Sequence, residues 1–91
     1  MDLKVSNAFK KDYRKCRKRG LDTGLLTGVT DLLLRGEKLP PEYYDHQLTG
    51  KYRGFRECHI AADWLLFYRI DKKGLLLTLV RTGSHSDLLD K

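Results

Sequence analysis

Cysteine is scarce in this chain: Cys16 and Cys58 are the only two in 91 residues, and they form no Cys-x-x-Cys pair. Two isolated thiols exclude a disulfide-stapled secreted domain and read as reduced, buried and cytoplasmic. No His-x₃-His or His-x₃₋₅-His spacing is present, so although Cys58 and His59 adjoin, no metal is expected. The glycine loop of a nucleotide-binding site is missing as well, since Gly50-Lys51 lacks the upstream glycine of a Walker motif, and no small-molecule cofactor is implied. The longest apolar run, residues 75–80, contains Thr78 and falls far short of the roughly 18 residues that suggest a membrane span. The basic start leads into Asp12 and further bases where the apolar core of a secretory signal would follow. Neither a membrane segment nor a leader is expected. The length is below the roughly 150 residues at which a second domain becomes a reasonable prior, and no repeat interrupts it, so residues 1–91 read as one domain.

What is present is a compact composition, 41% apolar and 33% charged, with its charge segregated. The first 20 residues carry eight bases against two acids, and the remainder carries ten of each, so the whole excess of +6 lies in that opening segment. Lys10, Lys11, Arg14, Lys15, Arg17 and Lys18 surround an apolar stripe of Val5, Ala8, Phe9, Tyr13 and Cys16 at helical spacing. Ser6 or Asn7 is placed to cap that helix and Gly20 to end it. A cationic helix face attracts a polyanion through counterion release. Asp22 caps a second helix, with Leu25, Leu26, Val29, Leu32 and Leu33 on one stripe and its end near Gly36.

The only two prolines, Pro40-Pro41, fall in a connecting loop over residues 37–50. Three strands follow at 52–60, 64–70 and 75–82, with tight turns at Ala61-Ala62 and over 71–74, which forces an antiparallel meander. Residues 2–5 can add an edge strand and 86–89 a last helical turn. The class is α+β: a helical hairpin followed by a small, mainly antiparallel sheet.

Three histidines, His46, His59 and His85, lie at element ends or in loops around this sheet. An even turn about Ala61-Ala62 pairs His59 with Trp64, and an even turn over 71–74 pairs Trp64 with Arg81, placing the three on one face. His85 follows shortly, and Asp63 lies in the turn beside His59. Imidazoles, a carboxylate and a guanidinium suit RNA strand cleavage, which needs a base for the 2′-hydroxyl, an acid for the departing 5′-oxygen and positive charge for the phosphorane. Trp64 could stack on a base, and Arg53 and Arg56, alternating with aromatics in residues 51–56, resemble a single-strand-binding surface.

The stretch from Tyr44-Asp45-His46 through Leu48-Thr49-Gly50, then Gly54-Phe55-Arg56, His59, Asp63-Trp64 and Arg81-Thr82-Gly83-Ser84-His85, resembles the YafQ branch of the RelE toxin superfamily over nearly the whole chain. The resemblance implies a ribosome-dependent endoribonuclease that cuts mRNA in the decoding site and is silenced by an antitoxin, and the segregated charge of the first helix is then expected to dock on 16S rRNA. It implies a helical hairpin on one sheet face and the active site on the other. It places catalytic groups at His46, His59, Asp63 and His85 and an aromatic at Trp64. In the assignment adopted here, His85 is the general acid, Asp63 with His59 serves the base side, His46 contacts phosphate or carries a second proton, and Arg81 stabilises charge. The family's aromatic near the C-terminus has no counterpart in Leu88-Leu89-Asp90-Lys91. The rival readings are a ParE-like toxin without nuclease chemistry and a non-enzymatic basic RNA-binding module.

Overall fold

In the computed structural model, which describes residues 1–89, the chain runs β1 (Asp2–Val5), α1 (Asn7–Lys18), α2 (Thr23–Leu34), β2 (His46–Gln47), β3 (Arg56–Ala61), β4 (Trp64–Ile70), β5 (Leu76–Gly83) and α3 (His85–Leu89). Asp90 and Lys91, counted in the expected domain, lie outside the described residues. Both helix starts follow from their caps: Ser6 Oγ accepts from the Phe9 amide at 2.9 Å, and Asp22 Oδ1 accepts from the Gly24 amide at 2.9 Å. No helix among the described residues is long and apolar enough to cross a membrane.

The sheet order is β1-β5-β4-β3-β2, with β1 parallel to β5 and every other pair antiparallel. The edge strand over residues 2–5 is therefore real, while β2 arises inside the segment read as loop. The first strand of the meander begins at Arg56 rather than residue 52, because Gly50–Tyr52 forms a single 3₁₀ turn and Gly54 takes φ 94°.

β4 is buried on both faces, as its unbroken run Trp64-Leu65-Leu66-Phe67-Tyr68 suits a central strand. Trp64, Leu66 and Tyr68 point into the larger core, with Cys58, Ile60, Leu77 and Leu79 from the sheet and Phe9, Cys16, Leu26, Val29 and Leu33 from the helices. Leu65 and Phe67 point the other way, where Leu88 of α3 and the half-buried Leu48, Tyr52 and Val80 give only partial cover. Each fully buried large side chain contributes about 1.5–3 kcal/mol, so the helix side carries most of the stability and the opposite face is left open for chemistry.

The register differs from the expected one. Asp63, not Ala61-Ala62, completes the first turn: it takes φ 49°, a left-handed conformation aspartate tolerates better than alanine, and Ala61 pairs with Trp64. A bulge before Ala61 then pairs His59 with Leu65. In the second hairpin the Asp71 carboxylate accepts from the Leu75 and Leu76 amides at 2.7 and 3.1 Å, so Ile70 pairs with Leu77. A second bulge at Val80 sets Arg81 opposite Phe67. Trp64 consequently faces the helices, 2% exposed, with its indole N–H donating to Thr82 Oγ1 at 2.9 Å. The expected grouping of His59, Trp64 and Arg81 on one face does not form: a one-residue slip exchanges the faces of a strand.

Candidate active site

The corrected register aligns His59, Leu65 and Gly83 in one row across β3, β4 and β5, and Glu57, Phe67 and Arg81 in the next row on the same face. His46 of β2 pairs with Glu57, so it extends the second row, and His85 follows directly after the first. Three histidines distant in sequence thus converge on the face away from the helical hairpin. The His59 and His85 rings meet edge to face with centroids 5.7 Å apart, and the ring of the exposed Tyr44 lies 5.4 Å from that of His59.

Each imidazole has its own partner. Asp63 Oδ1 accepts both the His85 backbone amide at 2.9 Å and the ring Nδ1–H at 2.7 Å, leaving Nε2 as the outward nitrogen. These two bonds hold the Asp63 carboxyl below its ordinary pKa. Asp63, expected beside His59, therefore serves His85. The His59 side is served by Glu57, a residue the sequence did not single out: its Oε1 lies 3.2 Å from His59 Nε2 and its Oε2 3.7 Å from His46 Nε2. Glu57 is 4% exposed, wedged beneath two imidazoles. The signal that could have found it is the two-residue spacing of Glu57 and His59, which places both on one strand face. The Nδ1–H of His46 donates to the Tyr44 carbonyl at 2.7 Å.

Among the described residues, Glu57, His59 and His85 offer metal-ligating atoms all within 4.8 Å of one another. Spacing along the chain gave no sign of this group, because it is assembled across β3 and the segment after β5.

The guanidiniums are less free than expected. Arg81 donates from Nε and Nη2 to the buried Asp12 of α1 at 2.6 and 3.1 Å, and the Thr82 amide donates to the same carboxylate at 3.1 Å. Arg56 donates to Asp45 at 3.2 Å, and the buried Tyr68 hydroxyl donates to that carboxylate at 2.6 Å, so Asp45 ties the loop bearing Tyr44 and His46 to the sheet. Arg53, Arg56 and Arg69 line an open cleft of about 730 Å³ beside this loop. The six bases of α1 are all exposed. Burial pushes the Cys58 thiol up to about 12, which removes it as a nucleophile.

His85 is held by a latch as well as by Asp63. Ser84 and Asp87 form a reciprocal capping box at the start of α3, with backbone-to-side-chain bonds of 3.0 and 3.1 Å, while Arg19 at the end of α1 donates to both Asp87 oxygens at 2.6 and 3.2 Å. Hydrogen bonding from Arg19 holds the Asp87 carboxyl well below the usual carboxylate range. Its contribution is thus full above the unfolded value near pH 4 and is lost as pH falls through the lower folded value. Thermal unfolding measured from pH 7 to pH 2 should show Asp87→Asn melting about 5 °C below wild type at neutral pH, with the gap closing in acid. A constant gap would contradict the linkage.

Comparison with known proteins gives a consistent result. Residues 1–90 match the family described as bacterial toxin of type II toxin–antitoxin system, YafQ. The chain is 36% identical over 88 residues to the mRNA interferase toxin YafQ of Escherichia coli K12, covering 96% of this chain and 94% of that protein. It superposes on the toxin in the E. coli DinJ–YafQ complex with a TM-score of 0.87 at 35% identity, covering 96% of each chain. A metal-bound toxin from Helicobacter pylori superposes with a TM-score of 0.89 at 43% identity, covering 97% of this chain and 98% of that one.

Proposed function

Because the chain belongs to the YafQ toxin family of type II toxin–antitoxin systems, we propose that it is an mRNA interferase, an endoribonuclease that cuts mRNA in the decoding site of the ribosome and is silenced by a cognate antitoxin. The observation that carries the chemistry is a pair of imidazoles in edge-to-face contact, centroids 5.7 Å apart, each backed by a separate carboxylate. A phosphodiester lying across the two rings on the open sheet face would have a proton acceptor toward one end and a donor toward the other.

In this reading His59, with Glu57 behind it, takes the 2′-hydroxyl proton as the 2′-oxygen attacks phosphorus. His85 gives a proton from Nε2 to the departing 5′-oxygen, while Asp63 fixes its tautomer and balances the charge the ring carries once protonated. His46 contacts the phosphate. Arg81, two rows from the end of β5 and held by Asp12, adds positive charge at the phosphorane. The products are a 2′,3′-cyclic phosphate and a 5′-hydroxyl, and no cofactor is needed. A transition metal held by Glu57, His59 and His85 would supply positive charge there, and it would occupy the ring nitrogens that proton transfer requires. Toxin treated with chelator and then desalted should therefore cut at an unchanged rate.

The bases of α1 are exposed on a helix whose apolar residues pack on the sheet face opposite the histidines, which supports a docking role toward 16S rRNA. Similarity to the toxin of the DinJ–YafQ complex supports an antitoxin partner, for which a cationic surface favours acidic character. The deciding experiment is primer extension on a defined mRNA with and without ribosomes. Cuts only on ribosomes are expected. Harmless expression in bacteria together with intact mRNA would overturn the reading. Neutralising Lys10, Lys11, Arg14, Lys15, Arg17 and Lys18 should weaken ribosome binding at least tenfold in low salt and flatten its salt dependence, since each phosphate contact contributes about 0.7–0.9 to the slope. Unchanged binding at two salt concentrations would refute the docking role.

A further inference from the structure

Tyr44 is the one aromatic among the large apolar side chains exposed in the described residues, and at 67% it is the most open of them. Its backbone is left-handed, φ 50°, a conformation that costs a tyrosine of the order of 1 kcal/mol and persists only when the surroundings impose it. The surroundings do impose it. The Tyr44 amide donates to the Pro41 carbonyl at 3.1 Å, its carbonyl accepts from His46 at 2.7 Å, and the neighbouring Asp45 is anchored by Tyr68 and Arg56. None of these contacts uses the ring.

Tyr44 instead lines two clefts. The first is a space of about 320 Å³ walled by His59, Ile60, Ala61 and Ala62. The second is one of about 300 Å³ with Lys38, Pro41 and Arg56 on its walls. The first adjoins His59, which in turn adjoins His85, so a group lodged there sits next to the bond being cut. Small alanines on the walls of this cleft leave room for a planar guest. The second cleft carries Lys38 and Arg56 beside the Asp45 carboxylate that Arg56 holds, and the two cations against one carboxylate leave it a net positive charge for the backbone phosphate of the same strand. We propose that Tyr44 is a stacking platform for the nucleobase adjoining the cleaved phosphodiester, with the base in the His59 cleft and the neighbouring phosphate at Lys38 and Arg56. This inference rests on the nuclease reading and adds a substrate-positioning residue to it.

The test uses variants matched to the backbone. Tyr44→Asn keeps a residue that tolerates the left-handed conformation and removes the ring, whereas Tyr44→Phe keeps the ring. Ribosomes are programmed with an mRNA carrying 2-aminopurine beside the cleavage site and a 2′-deoxy sugar at it, which prevents cutting. Wild type and Tyr44→Phe should quench the fluorophore by stacking, and Tyr44→Asn should not. On the cleavable mRNA, Tyr44→Asn should lose about 10- to 100-fold in cleavage efficiency, the range expected for one base–aromatic stack, while Tyr44→Phe stays within about threefold. Equal quenching by Tyr44→Asn and wild type would overturn the subsite even if cleavage slows, since the ring would then act only through the His59 imidazole. Wild type that neither cuts nor quenches would remove the nuclease reading and the subsite together; wild type that cuts, with Tyr44→Asn cutting and quenching equally well, would remove the subsite alone.

Discussion

Replacing His85 by alanine should lower cleavage of ribosome-bound mRNA by about 10²- to 10⁴-fold, the usual worth of a positioned proton donor, which is about 3–5 kcal/mol of barrier. Stability should barely change. The side chain is 42% exposed, its hydrogen bond to Asp63 is open to solvent, and the backbone amide bond to the same oxygen survives the substitution. Loss of such a group costs under about 0.5 kcal/mol, so the melting temperature and the ribosome affinity should stay close to wild type. His85→Gln should behave alike, because an amide can hydrogen-bond to Asp63 but cannot donate a proton at neutral pH. Single-turnover cleavage beside thermal melting decides the matter. A variant that cuts at near wild-type rate would transfer the acid role to His59 or His46.

The largest effect on stability should come from a residue with no part in proton transfer. Asp12 is 8% exposed and accepts three hydrogen bonds, two from Arg81 and one from the Thr82 backbone. Asp12→Ala leaves a guanidinium and a buried amide without their acceptor, and because Arg81 keeps 29% of its side chain in solvent the loss is about 2–3 kcal/mol. For a domain of this length that corresponds to a fall in melting temperature of more than about 10 °C. Arg81→Met should cost less, because the carboxylate keeps the Thr82 amide. The double variant should be less destabilised than the two single losses added together. Additive losses in the cycle would show that Asp12 and Arg81 do not act as a unit.

The helical hairpin could be read directly from the chain, because a 3.6-residue apolar period and a capping side chain are local properties. Ser6 and Asp22 cap as their residue types dictate. Even so, Asp12 among so many bases reads as surface, and only the packing of α1 against β5 shows that it faces inward toward Arg81. The three histidines were legible as candidates because imidazole is rare here and suits the chemistry. Their partners were not. Asp63 was assigned to the wrong ring, and Glu57 was missed, because a strand carboxylate beside Arg56 reads as an ordinary exposed charge and gives no sign of what stands across the sheet.

The sequence by itself determined the three candidate histidines, the segregation of positive charge onto α1, and the α+β class, since each depends on residue identity or on spacing within one element. Tertiary structure decided which face each strand residue occupies. That choice turned on Asp63 entering the left-handed region, on the Asp71 carboxylate drawing in two amides, and on bulges before Ala61 and at Val80. Each moves the register by a residue or two, at an energy small beside the burial of Trp64, whose 2% exposure records the outcome. Side chains alternate across a sheet with a period of two, so such small local choices sent Trp64 into the core and brought Glu57, His59 and His85 together on the open face.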